Sequence, residues 1–322
     1  MARDIDTRTI TLVDLPLMTR LSDQAMVLDN EIGFTRDSNG SNGMVLSSVL
    51  LPHRNAHTLI ARSGKRHVIG QFRVLEDNAR ITFITPDLRE EDFDDRLWLH
   101  LLDAMAREGG KHGAHALIAE IDEDALLFET MRTCGFAVYA RQQIWRRLPG
   151  DHPHIVCEAT LREASDQDLL QVQSVVSQSV PPFMQQIDMP EGDLTGWLAR
   201  NAEQIMAYIG VVEGKHGIYL TPYIHPDYME KSAALLDGVI RRLDKADKLP
   251  VYVCVRRYQD WIASTLETLE FEPGPRQAVM VKHITAGIRQ PVFTTVSHGI
   301  AVLAGGAGKP PTHRVNHWQE NI

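Results

Sequence analysis

Two stretches of the sequence share one pattern at a separation of 135 residues. The first begins Ala116-Leu-Ile-Ala-Glu-Ile121, continues through a polar turn and a helical stretch, and ends Cys134-Gly-Phe136. The second begins Val251-Tyr-Val-Cys-Val-Arg256 and ends, after a similar turn and helix, in Leu269-Glu-Phe271. A short apolar run predicts a buried strand, and a glycine after a helical stretch is typical of a helix end. The pattern therefore predicts the same strand–helix–strand unit twice.

The repeat extends upstream of both stretches. Ile81-Thr-Phe-Ile-Thr-Pro86 matches Gly217-Ile-Tyr-Leu-Thr-Pro222 at an offset of 136, although Pro226 is a second candidate for the matching proline. Apolar residues then recur at i, i+1, i+4, i+5 and i+8, which is one stripe of an α-helix. The stripes are Leu97, Trp98, Leu101, Leu102 and Met105 in the first half, and Leu235, Leu236, Val239, Ile240 and Leu243 in the second.

The fold class that follows is α/β, with two tandem units that are each a mixed, twisted sheet flanked by helices. We predict domains at 1–150 and 151–284 and a partly disordered tail at 285–322. In the first half we expect a hairpin at His57–Leu75 and a helix at Phe93–Glu108 ended by Gly109-Gly110. The two halves either pack through their last strands or share one continuous sheet.

Composition argues against several classes of protein. The 322 residues contain 33 basic and 42 acidic residues, a net charge of −9, which speaks against a binder of nucleic acid or of anionic membranes. Three scattered cysteines predict a reducing compartment without disulfides. The first residues lack an apolar signal segment, and no apolar run reaches membrane-spanning length, so we predict a cytoplasmic protein.

This layout resembles the GNAT superfamily of acyl-CoA-dependent N-acetyltransferases over about 57–147 and 155–284. The strand that leads into an amphipathic helix, the apolar strand and the Gly135-Phe136 ending carry the resemblance. It implies that acetyl-CoA or another acyl-CoA is the co-substrate, and that the acceptor is an amine on a small molecule or protein. In this family the strands before and after the first helix are parallel neighbours that splay apart to admit the pantetheine arm.

The family binds the pyrophosphate of acyl-CoA at a Gln/Arg-x-x-Gly-x-Gly/Ala loop that opens the first helix. In the first half this pattern falls on Arg89, Asp92 and Asp94, so carboxylates replace both glycines and would repel a phosphate. The second half has small or basic residues at the corresponding helix start. We therefore assign any cofactor binding to the second half, at Tyr223, Ile224, Lys231, Ser232, Ala233 and Ala234, with ordinary helix packing as the alternative.

The catalytic residues are not evident from the sequence. Many family members place a tyrosine acid four residues before the Gly-Phe glycine, where this chain has Met131 and Leu266. Glu213, Tyr258 and His225 are candidates because they lie near predicted strand ends, and each is also readily explained as a surface or capping residue. No metal-ligand spacing is present. The sequence leaves two functions open: an N-acyltransferase, or a non-catalytic GNAT-like protein for ligand sensing or assembly. Either one is compatible with a homodimer.

Overall fold

A computed structural model describes residues 5–22, 25–36, 55–85, 95–152, 154–156, 159–201 and 204–284. The predicted acidic loop at Arg89–Asp94 and the tail at 285–322 lie outside these residues. Among the described residues, no helix is both long and apolar enough to cross a membrane.

In the described ranges, thirteen strands form one sheet, and helices cover both of its faces. The strands are β1 Asp6–Thr9, β2 Met26–Val27, β3 Ala56–Ser63, β4 Arg66–Leu75, β5 Asn78–Ile84, β6 Ala116–Asp122, β7 Ala137–Arg147, β8 Thr160–Glu163, β9 Gly196–Asn201, β10 Gln204–Glu213, β11 Ile218–Ile224, β12 Val251–Arg256 and β13 Glu272–His283. The α-helices are α1 Leu15–Ser22, α2 Asn30–Thr35, α3 Arg96–Lys111, α4 Leu126–Thr133, α5 Leu169–Ser179, α6 Pro182–Asp188, α7 Ser232–Ile240 and α8 Ala263–Thr268. Short 3₁₀ helices at Pro226–Lys231 and Arg257–Ile262 precede α7 and α8.

The sheet is continuous across both halves, which is one of the two arrangements that the sequence left open. Its order is β1-β3-β4-β5-β6-β13-β7-β12-β11-β10-β9-β8, and β2 pairs separately with β5. The last strand of each half is therefore exchanged: β13 lies between β6 and β7, and β7 lies between β13 and β12. All three of these central pairs are antiparallel.

The exchanged strands also build the core of the other half. The apolar stripe of α3 packs on β3–β6 together with Ala278 and Met280 of β13. The stripe of α7 packs on β10–β12 together with Trp145 of β7. On the opposite face, α5 packs against Ile118 of β6 and Val279 of β13 as well as against β10 and β11. Each of these three hydrophobic cores thus contains residues from both halves of the sequence.

Two details of the sequence prediction are wrong. First, Gly109 and Gly110 do not end α3, which continues to Lys111. They lie inside the helix, where the absence of a side chain leaves room for Ile284. A Cβ on Gly110 would approach Ile284 Cγ2 to 2.8 Å. The left-handed residue that follows this helix is Gly113, at φ +90°.

Second, the strand match at an offset of 136 is out of register. Strands β5 and β11 both have seven residues, and both precede a proline by two positions, Pro86 in the first half and Pro226 in the second. Pro222 instead lies inside β11, opposite Ile209. The structure therefore selects Pro226 as the counterpart of Pro86.

An arginine–aspartate motif opens each half. Arg8 donates to both carboxylate oxygens of Asp14, which also accepts from the N–H and hydroxyl of Thr11. In the second half, Arg162 likewise donates to both carboxylate oxygens of Asp168, which also accepts from the N–H and hydroxyl of Ser165. The spacing Arg-x-x-Thr/Ser-x-x-Asp was present in the sequence and marks the start of the first half, which the resemblance did not reach.

We expect Asp168→Asn to lower the free energy of unfolding by about 2 kcal/mol at pH 7, because it removes charged hydrogen bonds from a buried carboxylate. The hydrogen bond from Arg162 lowers the pKa of Asp168 in the folded protein. A depressed folded-state pKa stabilises above the unfolded pKa of about 3.9 and loses that effect as the pH falls toward the folded value. The free energies of unfolding of the variant and the wild type, measured by urea denaturation, should therefore approach each other as the pH falls below about 4. Exposed Glu163→Gln is the control, and a pH-independent difference would contradict the prediction.

The turn after α8 places a non-glycine residue in a left-handed conformation. Glu270 has φ +61° where its counterpart Gly135 has φ +90°, and in both turns the N–H of the following phenylalanine donates to the carbonyl five residues earlier. The Glu270 carboxylate contacts His152 Nδ1 at 2.7 Å but is 53% exposed, so this pair contributes little.

We expect Glu270→Gly to raise the free energy of unfolding by about 1 kcal/mol, since glycine adopts a left-handed backbone without the Cβ clash. Glu267→Gly, inside α8, is the matched control and should lower it by about 1 kcal/mol. Thermal denaturation of both variants is the measurement. A loss of stability in Glu270→Gly equal to that of the control would contradict the prediction.

Candidate functional site

Each half contains a wedge between two parallel strands. In the first half, β5 and β6 pair only over Asn78–Arg80 and Ala116–Ile118, although both strands continue. In the second half, β11 and β12 pair only over Ile218–Leu220 and Val251–Val253. The predicted parallel, splayed arrangement is thus confirmed in both halves.

The first wedge is filled by the chain itself. The segment 26–30, which we call the strap, lies between the two diverging strands. Its residues Met26 and Val27 pair with β5, and the Leu28 N–H donates to the Thr82 carbonyl at 3.0 Å. On the other side, the Glu120 N–H donates to the Leu28 carbonyl at 2.9 Å. The strap therefore takes the backbone hydrogen bonds through which a bound molecule would be held between these strands.

Buried polar contacts hold the strap in place. The Asp29 carboxylate is buried and pairs with Arg73 of β4 at 2.9 Å. The Asn30 N–H donates to Glu120 Oε2 at 2.9 Å, and the Asn30 side chain donates to Gln277 of the exchanged strand β13 at 2.7 Å. Because these partners belong to three different strands, displacing the strap would disrupt the centre of the sheet.

The strap leads into α2, which lies against the second half. Phe34 stacks on Tyr252 with ring centroids 4.4 Å apart. The Thr35 carbonyl accepts from the His216 N–H, and it lies so close to Gly214 that a Cβ there would come within 1.8 Å of the oxygen. First-half residues thus form part of the surroundings of the second wedge.

The second wedge is crossed by one side chain. Gln259 Nε2 donates to the Pro222 carbonyl at 2.7 Å, and Gln259 Oε1 accepts from the Arg256 N–H at 3.3 Å. Pro222 has no N–H, so β11 offers only its carbonyl at this position. Among the described residues, no strap-like backbone segment pairs with both β11 and β12.

A polar cavity of about 180 Å³ lies beside this wedge, on the sheet face covered by α6. Strands β11 and β12 contribute Thr221, Tyr223 and Arg256, and the first half contributes Arg80 and Glu120. The remaining lining residues are Glu31, Ile187, Asp188, Tyr219 and Cys254. The cavity is therefore shared by both halves of the chain.

Buried ion pairs organise the cavity. Arg256 lies 3.0 Å from Asp188 and 3.8 Å from Glu120, and all three side chains are less than 10% exposed. Arg80 pairs with Asp188 from the other side at 3.7 Å. Burial alone would lower the pKa of Arg256, yet Asp188, Cys254 and Glu120 together raise it well above its ordinary value. The guanidinium therefore remains charged.

Two glutamines connect the cavity to the exchanged strands. Gln142 of β7 and Gln277 of β13 lie directly opposite each other, and they are separated in sequence by the repeat offset of 135. Gln142 accepts from Arg256 and donates to Glu120 at 3.2 Å and to Gln277 at 3.3 Å. These equivalent positions place a polar network where the two halves meet.

Comparison with solved structures identifies this architecture. A GCN5-related N-acetyltransferase from Sphaerobacter thermophilus aligns with a TM-score of 0.57 at 13% identity, over 87% of this chain and 96% of that protein. A tandem GNAT protein from the clavulanic acid biosynthesis pathway aligns with a TM-score of 0.51 at 14% identity, over 87% and 99%. No protein-family model and no curated protein matches the sequence.

The chain has the GNAT fold. The fold class and the resemblance predicted from the sequence are therefore confirmed at the level of architecture. Both similarities extend over nearly the whole of the compared proteins, so the double-length form of the GNAT fold is itself shared. At this identity the comparison concerns the fold and not the chemistry.

The predicted GNAT cofactor residues lie at the mouth of the second wedge. Tyr223 lines the cavity and donates to the Asp188 carbonyl at 3.3 Å, while Ile224 is buried against the helices. Lys231 Nζ lies 4.8 Å from the centre of the Tyr228 ring. Ser232 is 1% exposed, and its hydroxyl lies 2.9 Å from Thr265 Oγ1 on α8.

The start of α7 therefore differs from a glycine-rich phosphate loop. Ala233 and Ala234 are partly exposed and leave space above the helix backbone, but the Ser232 hydroxyl is directed to α8. The preceding 3₁₀ turn begins at His225, which accepts from the Asp227 N–H and contacts Gln178 at 2.9 Å. This His225 contact pattern is that of a cap, which was the alternative reading of the sequence.

The other two catalytic candidates are Glu213 and Tyr258. Glu213 ends β10 opposite Ile218, at the far end of β11 from the cavity, and it pairs with Lys245 at 3.4 Å. The structure thus places Glu213 at a strand end, as inferred, but away from the cavity, and its catalytic role stays a prediction. Tyr258 directly follows the 3₁₀ start at Arg257, and burial raises the pKa of its hydroxyl.

Sequence reasoning missed the residues that organise the site. Arg80, Asp188, Gln259 and the glutamine pair were not selected, because each is one polar residue among many. The equal spacing of Gln142 and Gln277 was a usable signal, since both lie at the same position in the last strand of a repeat.

Proposed function

We propose that this chain is an N-acyltransferase that moves an acetyl or other acyl group from acyl-CoA to an amine, and that the second wedge is the site of transfer. The observation that carries the proposal is the asymmetry between the wedges. The strap fills the first one with backbone hydrogen bonds. Within the part of the chain that the structure describes, the second is crossed by the Gln259 side chain and by no backbone segment, and it adjoins a polar cavity.

The residues around the second wedge fit parts of an acyl-CoA. Lys231, beside the start of α7, suits a pyrophosphate, although the Ser232 N–H there already donates to the Met229 carbonyl. The parted strands β11 and β12 suit a pantetheine arm. The fit is weaker than in a glycine-rich loop, because Ser232 is buried against α8. Bound acyl-CoA would supply the activated thioester carbonyl.

The cavity suits a small acceptor that carries an amine. Its volume of about 180 Å³ is below the ~300 Å³ at which pockets for drug-sized molecules begin. The three carboxylates Asp188, Glu120 and Glu31 exceed the two guanidiniums Arg80 and Arg256 by one negative charge, which favours a cationic group, and Thr221 and Tyr223 offer hydroxyls. The bound ammonium first loses a proton to solvent. In the transfer step, the neutral amine nitrogen forms a bond to the thioester carbon, the carbon–sulfur bond breaks, the nitrogen loses a second proton to solvent, and the thiolate leaves and takes up one proton.

Proton transfer is the step that this site assists least. Burial, followed by the charge of Asp188, raises the pKa of Tyr223 well above that of a free phenol. Burial likewise raises the pKa of Tyr258. Both phenols therefore retain their protons and orient groups by hydrogen bonding. The chain's own contribution is to hold the amine beside the thioester, and solvent supplies the proton to the thiolate.

A non-catalytic protein is the second candidate. Leu266, at the position of the family's tyrosine acid, is completely buried in the core, and α7 begins without glycine. These observations favour a GNAT-fold protein that binds a ligand in the cavity without transferring an acyl group.

We expect the full chain to bind acetyl-CoA in isothermal titration, and Ala233→Asp to weaken that binding at least ten-fold. A carboxylate at about 4 Å from a phosphate costs on the order of 1–4 kcal/mol, while it leaves the helix start intact or better stabilised. Leu126→Asp places the same charge at the start of α4, where Leu126 is 68% exposed, and should change binding less than two-fold.

The titration separates the two candidate functions. Binding that Ala233→Asp abolishes, together with acylation of an amine detected as release of free thiol, supports transfer at the second wedge. Binding without thiol release across a panel of small amines supports the non-catalytic protein. Binding that survives Ala233→Asp unchanged contradicts the assignment to the second wedge.

A further inference from the structure

A second pocket lies on the other face of the sheet, where the two halves meet. Its volume is about 330 Å³. Exchanged strands β7 and β13 form its floor with Arg141, Gln143 and Arg276, and the 3₁₀ turn after β12 forms one wall with Arg257 and Asp260. Glu123, just after β6, completes the rim.

Two of the three arginines have no partner among the described residues. The Glu123 carboxylate pairs with Arg141 at 2.6 Å. Arg257 and Arg276 form no hydrogen bond or ion pair through their side chains within the described ranges, and both are exposed. With Asp260 as the remaining acid, the pocket keeps an excess of one positive charge in a chain whose net charge is −9.

The backbone around these arginines is fixed. The Arg276 carbonyl accepts from the Glu123 N–H at 3.1 Å, and Gln143 Nε2 donates to the Gly274 carbonyl at 3.2 Å. Arg276 lies opposite Gln143 in the β7–β13 ladder. Arg141 and Arg276 also occupy equivalent positions of the 135-residue repeat, so the strand exchange is what brings them to one pocket.

We propose that this pocket binds the phosphate group of a small soluble molecule, either a phosphate monoester or a diphosphate. Guanidinium groups form paired hydrogen bonds with phosphate oxygens and are less strongly hydrated than ammonium groups. A pocket of this size encloses a small ligand, and an acidic chain disfavours long polyanions such as nucleic acid. The site is separate from the cavity beside the second wedge and does not depend on acyl transfer.

The test is isothermal titration of the full chain with sodium pyrophosphate and with inorganic phosphate at constant ionic strength set by chloride. We expect one site with a Kd of about 1 mM or tighter. The double variant Arg257→Gln/Arg276→Gln should weaken binding at least about ten-fold. Its thermal midpoint should match the wild type, because both side chains are exposed and unpaired within the described ranges.

The control is Arg62→Gln/Arg107→Gln, which removes the same charge from exposed positions on β3 and α3 and should change binding less than about two-fold. Three results would overturn the proposal: no binding to the wild type at about 10 mM pyrophosphate, equal weakening in both double variants, or equally tight binding of sulfate and chloride. Attachment to phosphatidic acid vesicles without pyrophosphate binding would also overturn it, because the proposed ligand is soluble.

Discussion

Replacing Arg256 by leucine is expected to lower the free energy of unfolding by about 3–5 kcal/mol. The guanidinium is buried between Asp188 and Glu120 and also donates to Gln142. Leucine would leave Arg80, among the described residues of the cavity lining, as the one cation to balance both Glu120 and Asp188. An uncompensated buried carboxylate must either be desolvated at a high free-energy cost or take up a proton.

The measurement is urea denaturation of the full chain, followed by circular dichroism. Arg146→Leu is the matched control on the neighbouring strand, since Arg146 pairs with Glu272 at the surface, and it should cost less than about 1 kcal/mol. Asp188→Asn should restore part of the loss in the Arg256→Leu background, because it removes one of the unbalanced charges. Equal losses for Arg256→Leu and Arg146→Leu would show that the network contributes no more than a surface pair.

Separating the two halves is expected to abolish folding of each one. A fragment that ends at residue 152 lacks β13, the strand that lies between β6 and β7. A fragment that begins at residue 153 lacks β7, which pairs with both β12 and β13. Each fragment would also lose residues of its own core, Ala278 and Met280 in the first and Trp145 in the second. Exposed strand edges and an open core make such fragments prone to aggregation.

Co-expression tests this prediction. The two fragments should be insoluble or unfolded alone and should co-purify as a one-to-one complex with the secondary structure of the intact chain. A short glycine–serine insertion after the exposed Gly150 keeps the chain connected and should lower stability by less than about 1 kcal/mol. A fragment that folds as a stable monomer would contradict the exchange, whereas a fragment homodimer would be compatible with it, because the repeat supplies equivalent last strands.

For the same reason, the proposed domain boundary at residues 150–151 stays a proposal. It marks the join between two repeats in the sequence. The hydrophobic cores on either side contain strands from both repeats, so the boundary does not separate two independently packed structures.

The candidate site was predictable only in outline. The helix start at Lys231–Ala234 and the residue Tyr223 were selected because the strand and helix patterns locate the carboxyl end of β11, and their role in binding stays a prediction. Glu213 lies at the other end of β11 from the cavity, because alternating apolar residues locate a strand without stating which of its ends adjoins a ligand. The strap was not predicted. Residues 26–30 are held between two strands by backbone hydrogen bonds, and such bonds leave no pattern of side chains that the sequence could reveal.

By itself, the sequence predicted the strand–helix–strand pattern of each half, the parallel pairing around each wedge and the repeat. These depend on local periodicity and on turns such as Gly135-Phe136, which neighbouring residues specify. Only the tertiary structure decided which last strand lies beside β6. Because β7 and β13 are copies of one repeat unit, their patterns fit the same place, and the choice depends on packing and pairing across the whole sheet. That choice creates the network at Gln142 and Gln277 and brings both halves to one cavity.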